Sequence, residues 1–151
     1  MFYSNTLITN TKKPIRVLGT SMQSAFYSCK NLHTIPLLEV NRNVAFTSTF
    51  GACSALTEIR FAGEIGKDIS LLSSTKLTKD SICSTIEHLA SPETEITGKT
   101  LTLSIKAVNK AFETSEGAND GSTSAEWIEL AGEKDNEEKP GIRPNWTITL
   151  S

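Results

Sequence analysis

Phenylalanine, cysteine, leucine and isoleucine return in the same order twice in the first half of this chain. Ala25-Phe26-Tyr27-Ser28-Cys29-Lys30-Asn31-Leu32-His33-Thr34-Ile35 aligns with Thr49-Phe50-Gly51-Ala52-Cys53-Ser54-Ala55-Leu56-Thr57-Glu58-Ile59 at a constant offset of 24. Phe26 meets Phe50, Cys29 meets Cys53, Leu32 meets Leu56 and Ile35 meets Ile59. The apolar pairs Met22/Phe46 and Leu37/Phe61 extend the match without a gap. A self-similar period of this length is the signature of stacked repeats. Weaker copies flank the pair. Met1-Phe2-Tyr3-Ser4 matches Ala25-Phe26-Tyr27-Ser28, and Leu7 falls near the Leu32 position with one residue missing. Leu71-Leu72-Ser73-Ser74-Thr75-Lys76-Leu77-Thr78 continues the leucine spacing with a different filling. The sequence starts inside a unit, which predicts further units upstream in a longer protein.

Within each unit, Ile35-x-Leu37 and Ile59-x-Phe61 alternate as a half-buried strand does, and Ile15-x-Val17 does so earlier, inside Ile15 to Leu18. The Met22, Phe26, Cys29, Leu32 set and its copy have helix-like or irregular spacing. One strand with one return segment leaves an apolar side bare. Stacked units bury it in ladders of Phe on Phe, Leu on Leu and Ile on Ile.

From Lys79 the pattern changes. Ile82, Ile86 and Leu89 fall on one face of a helix over Lys79 to Ala90, capped by Thr78 or Asp80 and ended before Pro92. Lys99 to Ser104 alternates as a strand. Ile105 to Thr114 has helical spacing, Gly117 to Ser124 has the composition of a loop, and Ala125 to Ala131 predicts a short helix. Glu133 to Gly141 reads as acidic and exposed, and Asn145 to Leu150 as a closing strand. Strands alternating with helices predict parallel pairing with crossovers, hence an α/β fold. The expectation is one domain over residues 1–151, with 24-residue-type units to about residue 70 and helix-strand capping units over about 71–151.

These residues resemble leucine-rich repeats of the BspA type, found in surface proteins of gut and oral bacteria and their phages. The motif apolar-x-x-x-Phe-x-x-Cys-x-x-Leu-x-x-Ile-x-Leu stands here as Met22, Phe26, Cys29, Leu32, Ile35 and Leu37, then Phe46, Phe50, Cys53, Leu56, Ile59 and Phe61. Leu72 to Thr78, the helix after it, Lys99 to Leu103 and Asn145 to Ile148 resemble the terminal units of such proteins. The interruption at Lys12-Lys13-Pro14 and the length of Gly117 to Arg143 depart from the pattern. The resemblance implies a curved solenoid, with short parallel strands on the concave face and helical or irregular returns. It also implies adhesion or protein recognition without a catalytic site, an analogy that rests on fold and names no partner.

Composition narrows the function classes. The chain has 151 residues, 38% apolar and 21% charged, which is a globular balance. A net charge of -2 speaks against nucleic-acid partners. No apolar run approaches the ~18 residues of a membrane span. Met1 to Asn10 lacks the basic start and apolar stretch of a signal peptide.

Two histidines and three cysteines offer no metal-ligand spacing, so no metal is expected. Cys29 and Cys53 are repeat-equivalent. Strand-type coils about 4.8 Å apart raise the question of a disulfide, but parallel side chains argue for small buried thiols filling a tight turn. No Gly-x-Ser-x-Gly, P-loop or Gly-x-Gly-x-x-Gly occurs, so neither an enzyme nor a cofactor is expected. The cluster Glu126, Glu129, Glu133, Asp135, Glu137 and Glu138 reads as a solvated loop rather than a glycosidase pair. Asn145-Trp146-Thr147 is a glycosylation sequon by pattern. Trp146 and Trp127 read as core or as sugar-stacking residues.

Alternation places Arg16, Leu18, Thr34, Pro36, Leu38, Glu58, Arg60 and Ala62 on the outward sheet face, with Thr100, Thr102, Thr147 and Thr149 extending it. Such a face suits a protein ligand, host or self, with glycan as a further class and Arg16 and Arg60 as anchors. An ordinary solvated sheet face is the competing reading. The expected setting is extracellular or at a cell surface, with a structural or accessory role in a phage tail or baseplate as the alternative.

Overall fold

The computed structural model describes residues 2–112, 124–133 and 136–151. The elements are β1 (Ile15–Arg16), β2 (Thr34–Val40), β3 (Glu58–Gly63), β4 (Ile69–Leu71), α1 (Lys79–Glu87), β5 (Lys99–Leu103), α2 (Ile105–Ala111), α3 (Ala125–Ala131) and β6 (Trp146–Leu150). The architecture is mixed α/β, with two open three-stranded sheets ordered β1-β2-β3 and β4-β5-β6. Every strand pairing within them is parallel. The Gly117 to Ser124 loop and Asp135 of the acidic cluster fall largely or wholly outside the described residues. No helix among the described residues is long and apolar enough to cross a membrane.

In the first half, equivalent residues of successive segments lie on one another. Phe2, Phe26 and Phe50 stack with ring centroids 5.5 and 5.9 Å apart, and Tyr3 stacks on Tyr27 at 5.4 Å. The backbone repeats with them. Phe2 and Ser4 N–H donate to the Ala25 and Tyr27 carbonyls, and Phe26 and Ser28 make the same bonds to Thr49 and Gly51. Cys29 and Cys53 are free thiols. Each donates to the carbonyl of the phenylalanine one segment earlier, Phe2 at 2.8 Å and Phe26 at 3.0 Å. The turns that set this spacing hold Ser4, Ser28 and Ala52 at φ of 50°, 58° and 58°, and Ser24 and Ser48 at 53° and 52°. These left-handed residues recur at equivalent positions although none is a glycine.

The fourth segment keeps the pattern in shorter form. Ser74 N–H donates to Leu71 and Leu77 N–H to Ser74, just as Cys53 donates to Phe50 and Leu56 to Cys53. Leu71, Ser74 and Leu77 therefore take the Phe, Cys and Leu places. Ser74 follows Cys53 by 21 residues, where Cys53 follows Cys29 by 24. This segment also holds β4, which the sequence pattern did not single out.

Two expectations about register are corrected. Ile35 pairs with Ile59, but Leu38 rather than Leu37 pairs with Phe61. A bulge at Pro36-Leu37 adds a residue, and proline has no N–H to give the ladder. A one-residue slip exchanges the two faces of a strand. Leu38, expected outside, is therefore 0% exposed, while Leu37, expected inside, lies half-buried on the outer side. Lys12-Lys13-Pro14 forms a longer interruption between the Asn10–Thr34 bridge and the Ile15–Leu38 pair. At the start of the chain no residue is missing. Ile8 packs against the core, and Leu7 is 91% exposed.

Helix α1 begins at Thr78, whose hydroxyl accepts from Ser81 N–H. It buries Ile82 and Ile86, as their spacing predicts. It lies along β3, where Ile59 N–H donates to Ser81 Oγ and Phe61 N–H to Ser84 Oγ, both at 3.0 Å. Ser81 Oγ–H in turn donates to the Thr57 carbonyl. The helix thus stands where a fourth strand would pair, and satisfies donors that would otherwise form an open edge.

The C-terminal part closes the core. Leu101 and Leu103 are fully buried, and Phe112 meets Trp127 edge-on at 5.2 Å. Trp127 and Trp146 are 3% and 7% exposed, so both are core residues rather than stacking platforms for sugar. The last carbonyls of α1 and the residues after it, which lack helical partners, are met from a distance. Arg143 donates to the Leu89 and Glu87 carbonyls, Trp146 Nε1 to Ala90, and Asn145 Nδ2 to Ala90 and Ile96. The amide that a glycan would modify in the sequon is thereby engaged in the fold.

Candidate functional site

The outward face of β1-β2-β3 carries most of the residues expected there. Arg16, Glu58 and Arg60 are exposed, Thr34, Pro36 and Ala62 are half-buried, and Leu18 is 84% exposed. Leu38 is absent from this face for the register reason above, and Leu37 takes its place. Thr100, Thr102, Thr147 and Thr149 belong to the second sheet and do not extend the first.

Neither expected anchor is a free cation. Arg16 Nε lies 3.2 Å from Glu39, its neighbour across β1 and β2, and Arg60 Nη2 lies 3.0 Å from Asp80 at the start of α1. Pairs this exposed contribute about 0–1 kcal/mol to stability. They leave both guanidinium groups oriented and accessible.

Where α1 runs beside β3 the face deepens into a groove of about 410 Å³. Leu37 and Phe61 reach it from the sheet, Cys83 and Ser84 from the helix. Arg60 and Asp80 close one part of its rim, and Glu87 and His88 another. Ser84 O lies 2.7 Å from His88 Nδ1 and fixes the ring as an Nδ1–H donor. Burial, reinforced by the Glu87 and Glu126 carboxylates, pushes the Cys83 thiol above its ordinary range, so it is not an activated nucleophile. Reasoning from sequence missed Leu37, Asp80, Cys83, Glu87 and His88 as surface partners. The outer stripe of α1 was legible, but its position beside β3 was not.

A second depression, about 630 Å³, lies between Arg42, Lys67 and Lys99 and the segment from Glu93 to Thr97. Its charges are mixed, since Arg42 is paired with Glu64 at 2.6 Å and Glu93 and Glu95 line the same wall. Among the described residues no three His, Cys, Asp or Glu side chains gather as a metal site. No family model, curated protein or solved structure matches the chain.

Proposed function

We propose that the chain is a recognition module of the BspA-like leucine-rich repeat kind, a solenoid that binds protein through its outward sheet face. On this reading it acts by shape and side-chain complementarity, without catalysis or a cofactor, in a bacterial surface or secreted protein. The observation that carries the reading is the stacking of equivalent residues on parallel strands, 24 residues apart before the bulge and 23 after it, which sets Arg16, Glu39, Leu37, Glu58 and Arg60 on adjacent strands. A rigid scaffold with a mixed charged and apolar face has the make-up of protein interfaces.

The test is saturable binding of the purified chain to a panel of extracellular host proteins and glycans, beside an Arg16→Ala/Arg60→Ala variant. The expected outcome is a protein ligand whose affinity falls about tenfold or more in the variant. Both arginines are exposed, so the variant keeps its melting temperature. Absence of any ligand, or affinity untouched by the variant, rejects this face and points to a role in particle assembly.

A further inference from the structure

We propose that the groove beside α1 seats an apolar side chain from an extended segment of a partner protein, with a lysine or arginine of that segment meeting Glu87. The proposal rests on the recognition reading above and assigns it a chemical preference.

The floor supplies the apolar part. Leu37, left half-buried by the bulge that turned Leu38 inward, and half-buried Cys83 supply the apolar surface of the recess, beside the buried Phe61 and Ser84. The rim supplies the sign of charge. Arg60 is paired with Asp80, whereas Glu87 is exposed and has no ion pair among the described residues. Arg143 is held on the Glu87 and Leu89 main-chain carbonyls, and Lys79 of α1 is paired with Glu126. The groove thus offers unpaired carboxylate beside apolar surface. Burial is the main cause that raises the Cys83 thiol, and the Glu87, Glu126 and Asp80 carboxylates add to it against Lys79. A ligand that sets a cation beside an apolar side chain is the complement.

The probes are three peptides, acetyl-Gly-Lys-Leu-Lys-Gly-amide, the same with both lysines replaced by glutamate, and the same with leucine replaced by serine. Amide shifts of the full chain are followed by heteronuclear NMR during titration. The lysine-leucine peptide should shift Leu37, Phe61, Cys83, Glu87 and His88, and the other two should bind more weakly. Glu87→Gln, at an exposed position, should weaken the first peptide about fivefold while the melting temperature stays put. Equal response to the glutamate peptide, shifts elsewhere only, or an unchanged affinity in Glu87→Gln would overturn the proposal. If a panel ligand is lost in Arg16→Ala/Arg60→Ala but insensitive to Glu87→Gln, the sheet face stands and the groove assignment falls. If no ligand depends on the arginines, the recognition reading itself has failed.

Discussion

Residues 2–78 and the described residues from 79 onward build their parts of the core by different means. In the first region each contact is a copy. Phe26 lies between Phe2 and Phe50, Cys53 repeats the bond of Cys29, and one turn geometry recurs at Ser4, Ser28 and Ala52. In the second region the decisive contacts occur once and span long stretches of chain. Arg143 reaches Leu89 across 54 residues, and Trp146 reaches Ala90 across 56. Stacked copies share one geometry, so a short sequence pattern specifies it many times over. A terminus has no copy to lean on, and it satisfies its backbone with side chains chosen for that place.

The sharpest way to break the comparison is within the ladder. Phe26→Ala removes a ring enclosed on both faces and should cost about 3–5 kcal/mol in denaturant unfolding. Phe2→Ala, at the 36% exposed end of the same stack, should cost about 1 kcal/mol. Equal losses would mean that the ladder is not what holds the first region together.

A smaller effect is expected from pH. Burial, with a lesser contribution from Cys29, pushes the Cys53 thiol from 9.0 up to about 11. The fold favours the protonated thiol, whereas the unfolded chain ionises near the ordinary value. Stability present below about pH 9 should therefore decline as pH rises through about 11. Cys53→Ser should flatten that decline at a cost of about 1 kcal/mol at neutral pH, because Ser74 fills the equivalent place in the next segment while fully buried. A slope unchanged by the substitution would place its origin elsewhere.

Much of the first region was legible because the repeat is written in residue identity. Phe26/Phe50, Cys29/Cys53 and Leu32/Leu56 announce a ladder, and the helix at Lys79 announces itself by its apolar stripe. The register past Ile35 was not legible. Leu37 and Leu38 are alike in hydropathy, and only the bulge beside Pro36 decides which of them faces inward. The shortened fourth segment was visible as leucine spacing but not as an equivalent of the Phe-Cys-Leu set, because Leu71 and Ser74 replace the marking residues. The groove was hidden for a different reason. It depends on where α1 docks, and that is fixed by two serine hydroxyls meeting Ile59 and Phe61, a pairing with no sequence period behind it.

The claim that α1 takes the place of a fourth strand, ending the sheet and walling the groove, is tested most directly by amide hydrogen exchange at Ile59 and Phe61. In the wild-type chain both amides should be protected to the level of the β2 amides. In Ser81→Ala/Ser84→Ala the protection of these two should fall while that of Leu38 and Val40 holds. Fast exchange at Ile59 and Phe61 in the wild type, or protection that survives loss of both hydroxyls, would contradict the account.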